Sequence, residues 1–460
     1  MTEGNSDQTA GDQVQNWIDP SIGLERIREA AKRNSRERFT SLLHHATPRL
    51  LEESYRALKR DAAVGIDEMT WREYGEGEPQ NLLDRLTDLH ERVQSGRYRA
   101  QPSKRIYITK EDGRKRPIGI AALEDKIVQK AVVRILEQVY EEDFLNFSYG
   151  FRPGRGQHNA LDAVWVGIGS RPISWVLDAD LKSFFDKIDH EWMIKFLEHR
   201  IADRRMVRLI RKWLRAGVSE EGCWSKTTVG TPQGAVISPL LANVFLHYVL
   251  DLWVQQWRSR ETDGNVIIVR YADDFVMGFQ RKGEADAFCH ALEERLAQFG
   301  QSLNEEKTRL IRFGRFAERD RASRGEGKPE TFNFLGFTHI CGKTRKNKAF
   351  TVLRIPIAKR QNRKLKQIRE ELFKRRHEPV PVQGKWLRSV VQGYFNYYAV
   401  PNSLRQLSAF RTIVTRDWVR ALRRRSQKTR ITWARTERLL NTWVPQPKVV
   451  HPYPNQRLRV

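Results

Sequence analysis

Apolar residues along this chain change spacing several times, and each change predicts an element. Between 123 and 140, Ile127, Val128, Ala131, Val132, Ile135, Leu136 and Val139 recur three or four residues apart, the period of a helix with one buried face. Leu241, Val244, Phe245, Tyr248, Val249, Leu252 and Trp253 form a second stripe, with Ser238 expected as its cap and Pro239 at its first helical position. Helical spacing also predicts one long basic amphipathic helix over 191–216, read as scaffold, and another helix over 284–299. The stretch from 17 to 90 reads as mainly helical, broken by a turn at 63–67.

β-Branched and aromatic runs predict strands over 173–180 (ISWVLDAD), in LIRFG (310–314) and over 332–337 (FNFLGF). Two stretches predict hairpins. In 105–120, RIYITKEDGRKRPIGI, Asp112-Gly113 marks the turn; in 265–280, NVIIVRYADDFVMGFQ, two apolar runs flank Asp273 and Asp274 at the tip. Glycine- and proline-punctuated loops are expected at 148–156 (SYGFRPGRG) and 230–239 (GTPQGAVISP), and an exposed charged loop at 317–330. Residues 1–15 read as a disordered tail, and the prolines after 444 as an extended, irregular terminus.

Composition changes the picture mainly through charge. At 460 residues and 40% hydrophobic content the chain can bury a large core in two or three domains. Apolar runs fall short of membrane-spanning length, the start lacks the features of an export signal, and Cys223, Cys289 and Cys341 are too scattered for a zinc module or disulfide framework. A soluble, unexported protein of a reducing compartment is expected, with no membrane partner. Of 82 Lys+Arg and 56 Asp+Glu, 30 and 5 lie from Cys341 onward, which leaves 52 against 51 for the rest. The net charge of +26 therefore belongs to the last quarter, where the cations are interleaved with aromatics from Trp386 through Tyr394, Tyr397 and Tyr398 to Trp443, and Arg423, Arg424 and Arg425 form the densest cluster. A polyphosphate partner that also offers bases for stacking suits this composition; a solvated basic face is the plainer alternative.

Candidate chemistry centres on the 265–280 hairpin. Two adjacent carboxylates at a turn repel, and a multivalent cation would neutralise them, so Asp273 and Asp274 read as a hard-metal site for Mg²⁺; a solvated turn holding two aspartates is the other reading. Asp180, at the end of the 173–180 strand, could join them, with Asp178 and Asp186 set aside as strand-face and capping residues. Lys104, Lys110 and Arg116 are spaced by six residues and could face one way to grip a triphosphate, or be exposed hairpin cations. Phe185 is core by default or lines a substrate pocket, and Gln233 and Gly234 let a backbone and a neutral amide approach a base or sugar. Arg152 and Arg155 suit a loop that meets a nucleic-acid backbone.

Taken in order, Gly65-Ile66-Asp67, RPIGI, SYGFRPGRG, DADLKSFFDKIDH, GTPQGAVISPLLAN, YADD, LNEEKT, FLGF, GYFNYY and LRRRSQ resemble the group II intron reverse transcriptase/maturases over nearly the whole chain. The resemblance implies an α+β right-hand polymerase, with fingers and palm over 16–340 and a helical basic thumb and maturase region over 341–460. It implies Asp180, Asp273 and Asp274 as catalytic ligands of two Mg²⁺ ions. Lys104, Lys110 and Arg116 match triphosphate-binding cations, Phe185 the residue that excludes a ribose 2′-OH, Gln233 and Gly234 the loop against the incoming nucleotide, and Lys307 a proton donor to the leaving pyrophosphate.

The implied partners are group II intron RNA, an RNA template with a DNA primer, and dNTPs; the implied place is a bacterial cytoplasm, at the nucleoid when acting on DNA. Many such proteins end in an endonuclease with histidine, asparagine and paired cysteines. None follows HPYP here, so target cleavage is not expected and a primer would come from elsewhere, such as a nascent strand. Two other roles fit the same motifs: a domesticated reverse transcriptase without an intron, serving phage defence or spacer acquisition, and a non-catalytic RNA-binding splicing cofactor. Oligomeric state is open.

Overall fold

The computed structural model describes residues 19–76, 79–109, 113, 115–220, 223–344, 346–425 and 432–458. The 1–15 tail, Lys110 and Asp112 lie outside the described residues. At its centre four antiparallel strands run in the order Val266–Tyr271, Asp274–Phe279, Trp175–Asp180 and Arg309–Arg312. Both faces of this sheet are covered. Leu177, Val266, Ile268, Phe275 and Met277 pack into the large core built with the helices Leu123–Asp143 and Ser238–Leu246, while Val176, Ile267, Val269, Val276 and Ile311 pack against the helix Gln157–Ser170. Two-sided burial explains why these strands read as continuous apolar runs rather than as alternation.

The strands Ser103–Thr109 and Lys115–Ile120 pair with Lys104 opposite Ile120 and Ile108 opposite Arg116, and Val218–Glu220 and Cys223–Ser225 extend that sheet. A third sheet holds Phe332–Phe334, Phe337–Lys343 and Phe350–Pro356. The run read as one strand over 332–337 is instead a hairpin, because Leu335 and Gly336 take positive φ (45° and 81°), the signature of a two-residue turn. Strand Phe337–Lys343 passes through residue 340, and the apolar clusters divide later. Val352 belongs with the central sheet's second face, and a separate helical core begins with Leu365 and includes Phe395, Phe410 and Trp418.

That last core is built from the helices Ala358–Lys374, Val380–Tyr398, Leu404–Arg423 and Trp433–Trp443. The chain then returns to the centre. Val450 and His451 donate backbone N–H groups to Ala399, and the buried Asp162 carboxylate pairs with both Arg354 (2.6 Å) and Arg457 (2.8 Å). The terminus carries the expected extended stretch and a short helix, Pro454–Arg457. Among the described residues no helix is long and apolar enough to cross a membrane.

Three further expectations are corrected. The basic helix expected over 191–216 is two, His190–Glu198 and Arg204–Arg215. They separate where Ile201 bridges to Phe39 and Asp203 caps the second, accepting from Arg205 and Met206 while also holding Leu42 and Leu43. Ser238 caps nothing; its hydroxyl donates to Pro232 O. The 317–330 loop contains a short helix, Ala317–Ala322.

Burial of histidines sets the response to acid. His339 is fully buried against Phe332, and loss of solvation followed by Arg354 pushes its imidazole down to about 3. Its folded value lies below its unfolded one, so its contribution is complete above about pH 6.5 and is lost as pH falls toward 3, at no more than about 1.4 kcal/mol per pH unit. His339→Phe is expected to flatten the stability profile between pH 6 and 4 in denaturant titrations at each pH.

Candidate active site

The end of the central sheet gathers the acidic residues. Strand pairing sets Asp180 opposite Asp274, and Tyr271 opposite Asp274 across the hairpin, so the turn is the two residues Ala272 and Asp273. Ala272 adopts φ +56°, a left-handed conformation that costs a non-glycine residue about 1 kcal/mol or more. The tight turn is held from behind. Arg270, wholly buried, forms a bidentate pair with the equally buried Asp251 (2.7 and 2.5 Å) and donates to Asn243 Oδ1 and to the Ala272 carbonyl, both at 3.1 Å. Asn243 Nδ2 in turn donates to Gly150 O at 2.7 Å. Asp251 ends a π-helical turn, His247–Asp251, inside what the apolar stripe suggested was one regular helix.

The 148–156 loop completes this support. Tyr149 N–H donates to Arg270 O, and a Cβ on Gly150 would lie 2.3 Å from Ala272 N, so only glycine allows the loop to lie against the turn. Arg152 is only 5% exposed; its guanidinium is paired with Glu141 and donates to the Leu145 and Ser148 carbonyls. Its reading as a nucleic-acid contact is corrected accordingly, since its donors are committed to shaping the loop. Arg155 binds Asn146 and stands over the Tyr149 ring.

Electrostatics in the cleft are tense. Desolvation first, then a hydrogen bond with Asp180 and the charges of Asp273 and Asp180, push the Asp274 carboxyl up to about 8. Burial and Asp180 also raise Asp273. Lys307 Nζ lies 2.5 Å from Asp180 Oδ2, and Asn304 Nδ2 donates to the same oxygen at 3.1 Å. The segment bearing both is fixed by Asn304 N–H donating to Asp180 O. Burial opposes the Lys307 charge, but Asp180, Asp274 and Asp273 hold the ammonium above its ordinary value. Among the described residues no three His, Cys, Asp or Glu groups stand preassembled at metal-ligand spacing. The donor set nevertheless suits a hard divalent cation: carboxylate oxygens on adjacent strands and the turn beside them, with Asp273 and Asp274 pushed toward protonation by burial and by neighbouring carboxylates.

Around the cleft, Phe185 is 9% exposed and meets Phe184 edge to face, while its carbonyl accepts from Thr231 in the 230–239 loop. Gln233 joins two elements. Its Oε1 accepts from Arg116 Nε (2.6 Å), its Nε2 donates to Asp186 Oδ1 (3.1 Å), and its carbonyl takes Gly119 N–H. Gly234, at φ +112°, packs on Gly119. Lys104 and Arg116 lie on one face of the hairpin, four residue steps apart by the pairing, and Lys104 reaches Glu68 at 3.9 Å.

A family model described as reverse transcriptase (RNA-dependent DNA polymerase) matches residues 108–339, half of the chain, and spans this cleft. The chain belongs to the reverse transcriptase family. This reverse transcriptase is 33% identical to protein YkfC of Escherichia coli K12 over 61% of its own length and 78% of that protein's. It is 38% identical to the group II intron-encoded protein LtrA of Lactococcus lactis over 52% of its length but 39% of LtrA's. A 91 kDa protein in the cob intron of Schizosaccharomyces pombe is 38% identical over 38% of this chain and 22% of that one. The fold is thus that of a right-hand polymerase, mixing helices and sheets.

In the C-terminal part of this reverse transcriptase, Tyr394, Tyr397 and Tyr398 line a groove of about 620 Å³ together with Arg360, Arg363 and Lys364. Tyr394 is largely buried, stacked on Phe410 at 3.9 Å, Tyr397 OH donates to Leu335 O, and Tyr398 packs against Tyr394 and Phe337, so all three rings are anchored in the protein. Arg423 and Arg424 are exposed, whereas Arg425 donates to the His377 and Glu378 carbonyls. Sequence reading missed Arg270, Asp251, Asn243 and Asn304. Arg270 offered one signal: a cation inside an otherwise apolar strand buried on both faces must have a buried partner.

Proposed function

We propose that the protein is an RNA-directed DNA polymerase that extends a primer 3′-hydroxyl with dNTPs, and that it also binds group II intron RNA and assists its splicing and mobility. The observation that carries the polymerase reading is the pairing of Asp180 with Asp274 beside the Ala272-Asp273 turn, with Lys307 at their edge. Asp180, Asp273 and Asp274 would hold Mg²⁺; two such ions supply Lewis-acid activation of the 3′-hydroxyl and neutralise charge on the leaving pyrophosphate.

The chain's own residues position the reactants. Lys104 and Arg116 place cations on one sheet face for the β- and γ-phosphates, and Lys110 belongs to the same proposal by sequence. Asp186 and Arg116 fix the orientation of the Gln233 amide, which with Gly234 flanks the nucleotide. Lys307 Nζ, kept protonated by the aspartates, can give its proton to the departing pyrophosphate. The Phe185 ring fills the space a 2′-OH would need. Phe185→Val is expected to raise ribonucleotide incorporation relative to deoxynucleotide by at least about tenfold, read as a ratio of kcat/KM values.

Template-directed extension of an annealed DNA primer on RNA tests the polymerase reading; no extension in Mg²⁺ would leave the non-catalytic cofactor. The maturase reading draws on the intron-encoded relatives and on the basic groove of Arg360, Arg363 and Lys364. A protein that binds the folded intron selectively stabilises it by mass action. Splicing at low Mg²⁺ of an intron RNA flanking the coding sequence, with and without protein, tests it; the lack of any such intron would favour the domesticated role.

A further inference from the structure

The helix Arg204–Arg215 presents a second cationic surface, whose grooves are lined by no residue of the acidic cleft or of the basic last quarter of the chain. Its apolar side, Met206, Leu209, Ile210, Trp213 and Leu214, is buried. Arg204, Arg208, Arg211 and Arg215 recur at four-, three- and four-residue steps, one stripe about 16 Å long. Among the described residues, Arg204, Arg208 and Arg211 have no carboxylate within 4 Å; Arg215 meets Glu191 at 3.4 Å, both well exposed. Grooves of about 500 and 480 Å³ flank the stripe. Arg38 enters one and Arg99 lines the other, and Glu198 is the one carboxylate among the lining residues. The break between the two helices makes this geometry, because the bridge from Ile201 to Phe39 brings Arg38 alongside Arg204.

We infer that this face binds the phosphodiester backbone of a nucleic-acid duplex, outside the polymerase cleft. Cations concentrate here although the first 340 residues are nearly neutral, 52 against 51. Every position in the stripe is arginine, whose planar fork takes phosphate oxygens in pairs. Tyr98, the aromatic side chain lining these grooves, is 2% exposed, so neither groove offers a ring for bases to stack on; single strands are held largely by such stacking, and a backbone-only groove suits a duplex. Insertion into lipid would need exposed apolar side chains on the same helix, and those are buried.

The test uses the full chain and the variant Arg204→Gln/Arg208→Gln/Arg211→Gln, with a blunt duplex of about 16 base pairs, as RNA and as DNA, which offers no primer end. Fluorescence anisotropy between about 50 and 200 mM salt is expected to show binding at least about tenfold weaker for the variant, and a log–log salt slope shallower by about 3. Loss with both duplexes assigns a general backbone site, and loss with RNA alone an RNA site. Extension of a short primer–template, with the melting temperature, should stay unchanged. An unchanged slope with both duplexes overturns the inference, as does loss confined to the primer–template. Loss of binding to phosphatidylglycerol vesicles with duplex binding intact overturns it in favour of a membrane surface. Arg208→Gln alone, expected to change the slope by about 1, serves if the triple variant does not fold. Because binding is read without synthesis, this result stands apart from whether the polymerase reading holds.

Discussion

Asp274→Asn is expected to lower primer extension by at least about 10³-fold while leaving the metal-free protein as stable as wild type or more so at pH 8. The reason is the carboxyl's environment. Burial first, and then the neighbouring Asp180 and Asp273, push the Asp274 carboxyl up to about 8, against an ordinary value of 3.8. For a folded value raised above the unfolded one, the stabilising contribution is complete below about pH 3.8 and is lost as pH climbs through about 8. Wild-type protein without divalent ions should therefore melt at progressively lower temperature from pH 5 to 8.5, and the amide, which cannot ionise, should remove much of that slope. Mg²⁺ should raise the wild-type melting temperature more than the variant's, since a ligand that binds the folded state stabilises it. Equal pH dependence in the two proteins would mean the carboxyl is not strained, and wild-type extension by the variant would sink the site assignment.

How far the sequence could be read depended on whether a feature was local. The YADD hairpin, the 123–140 helix and the Asp112-Gly113 hairpin carry their own periodicity and turn chemistry, and their strands and helix formed within a few residues of expectation. The pairing of Asp180 with Asp274, by contrast, is a matter of register between strands about ninety residues apart, which no local pattern states. The same limit explains the errors. The 191–216 stretch is amphipathic throughout, and what divides it is Phe39 docking from the far end of the chain. SYGFRPGRG looked like a loop for RNA because it is rich in glycine and arginine, yet Gly150 is needed by Ala272 and Arg152 by Glu141. Composition cannot distinguish a cation that faces solvent from one that ties a loop.

Arg270→Met should separate what holds the fold from what positions the chemistry. Removing one member of a buried ion pair leaves the other charge unpaired, and the variant is expected to lose about 3–5 kcal/mol of unfolding free energy in urea titration. Adding Asp251→Leu removes the stranded carboxylate and fills the space with apolar volume, which should restore most of that stability. Activity should not return with it. In the double variant the Ala272 carbonyl and Asn243 Oδ1 still lack the guanidinium that ties them, and a left-handed alanine has little reason of its own to stay left-handed. The carboxylates of Asp273 and Asp274 follow directly in the chain, so a relaxed turn displaces both. A displacement of about 1 Å at reacting groups is enough for a loss of about 10²-fold in kcat/KM. A double variant that folds and extends primers like wild type would reduce the network to a structural role. One that folds and does not would make Arg270 the residue that converts an apolar hairpin into a carboxylate site.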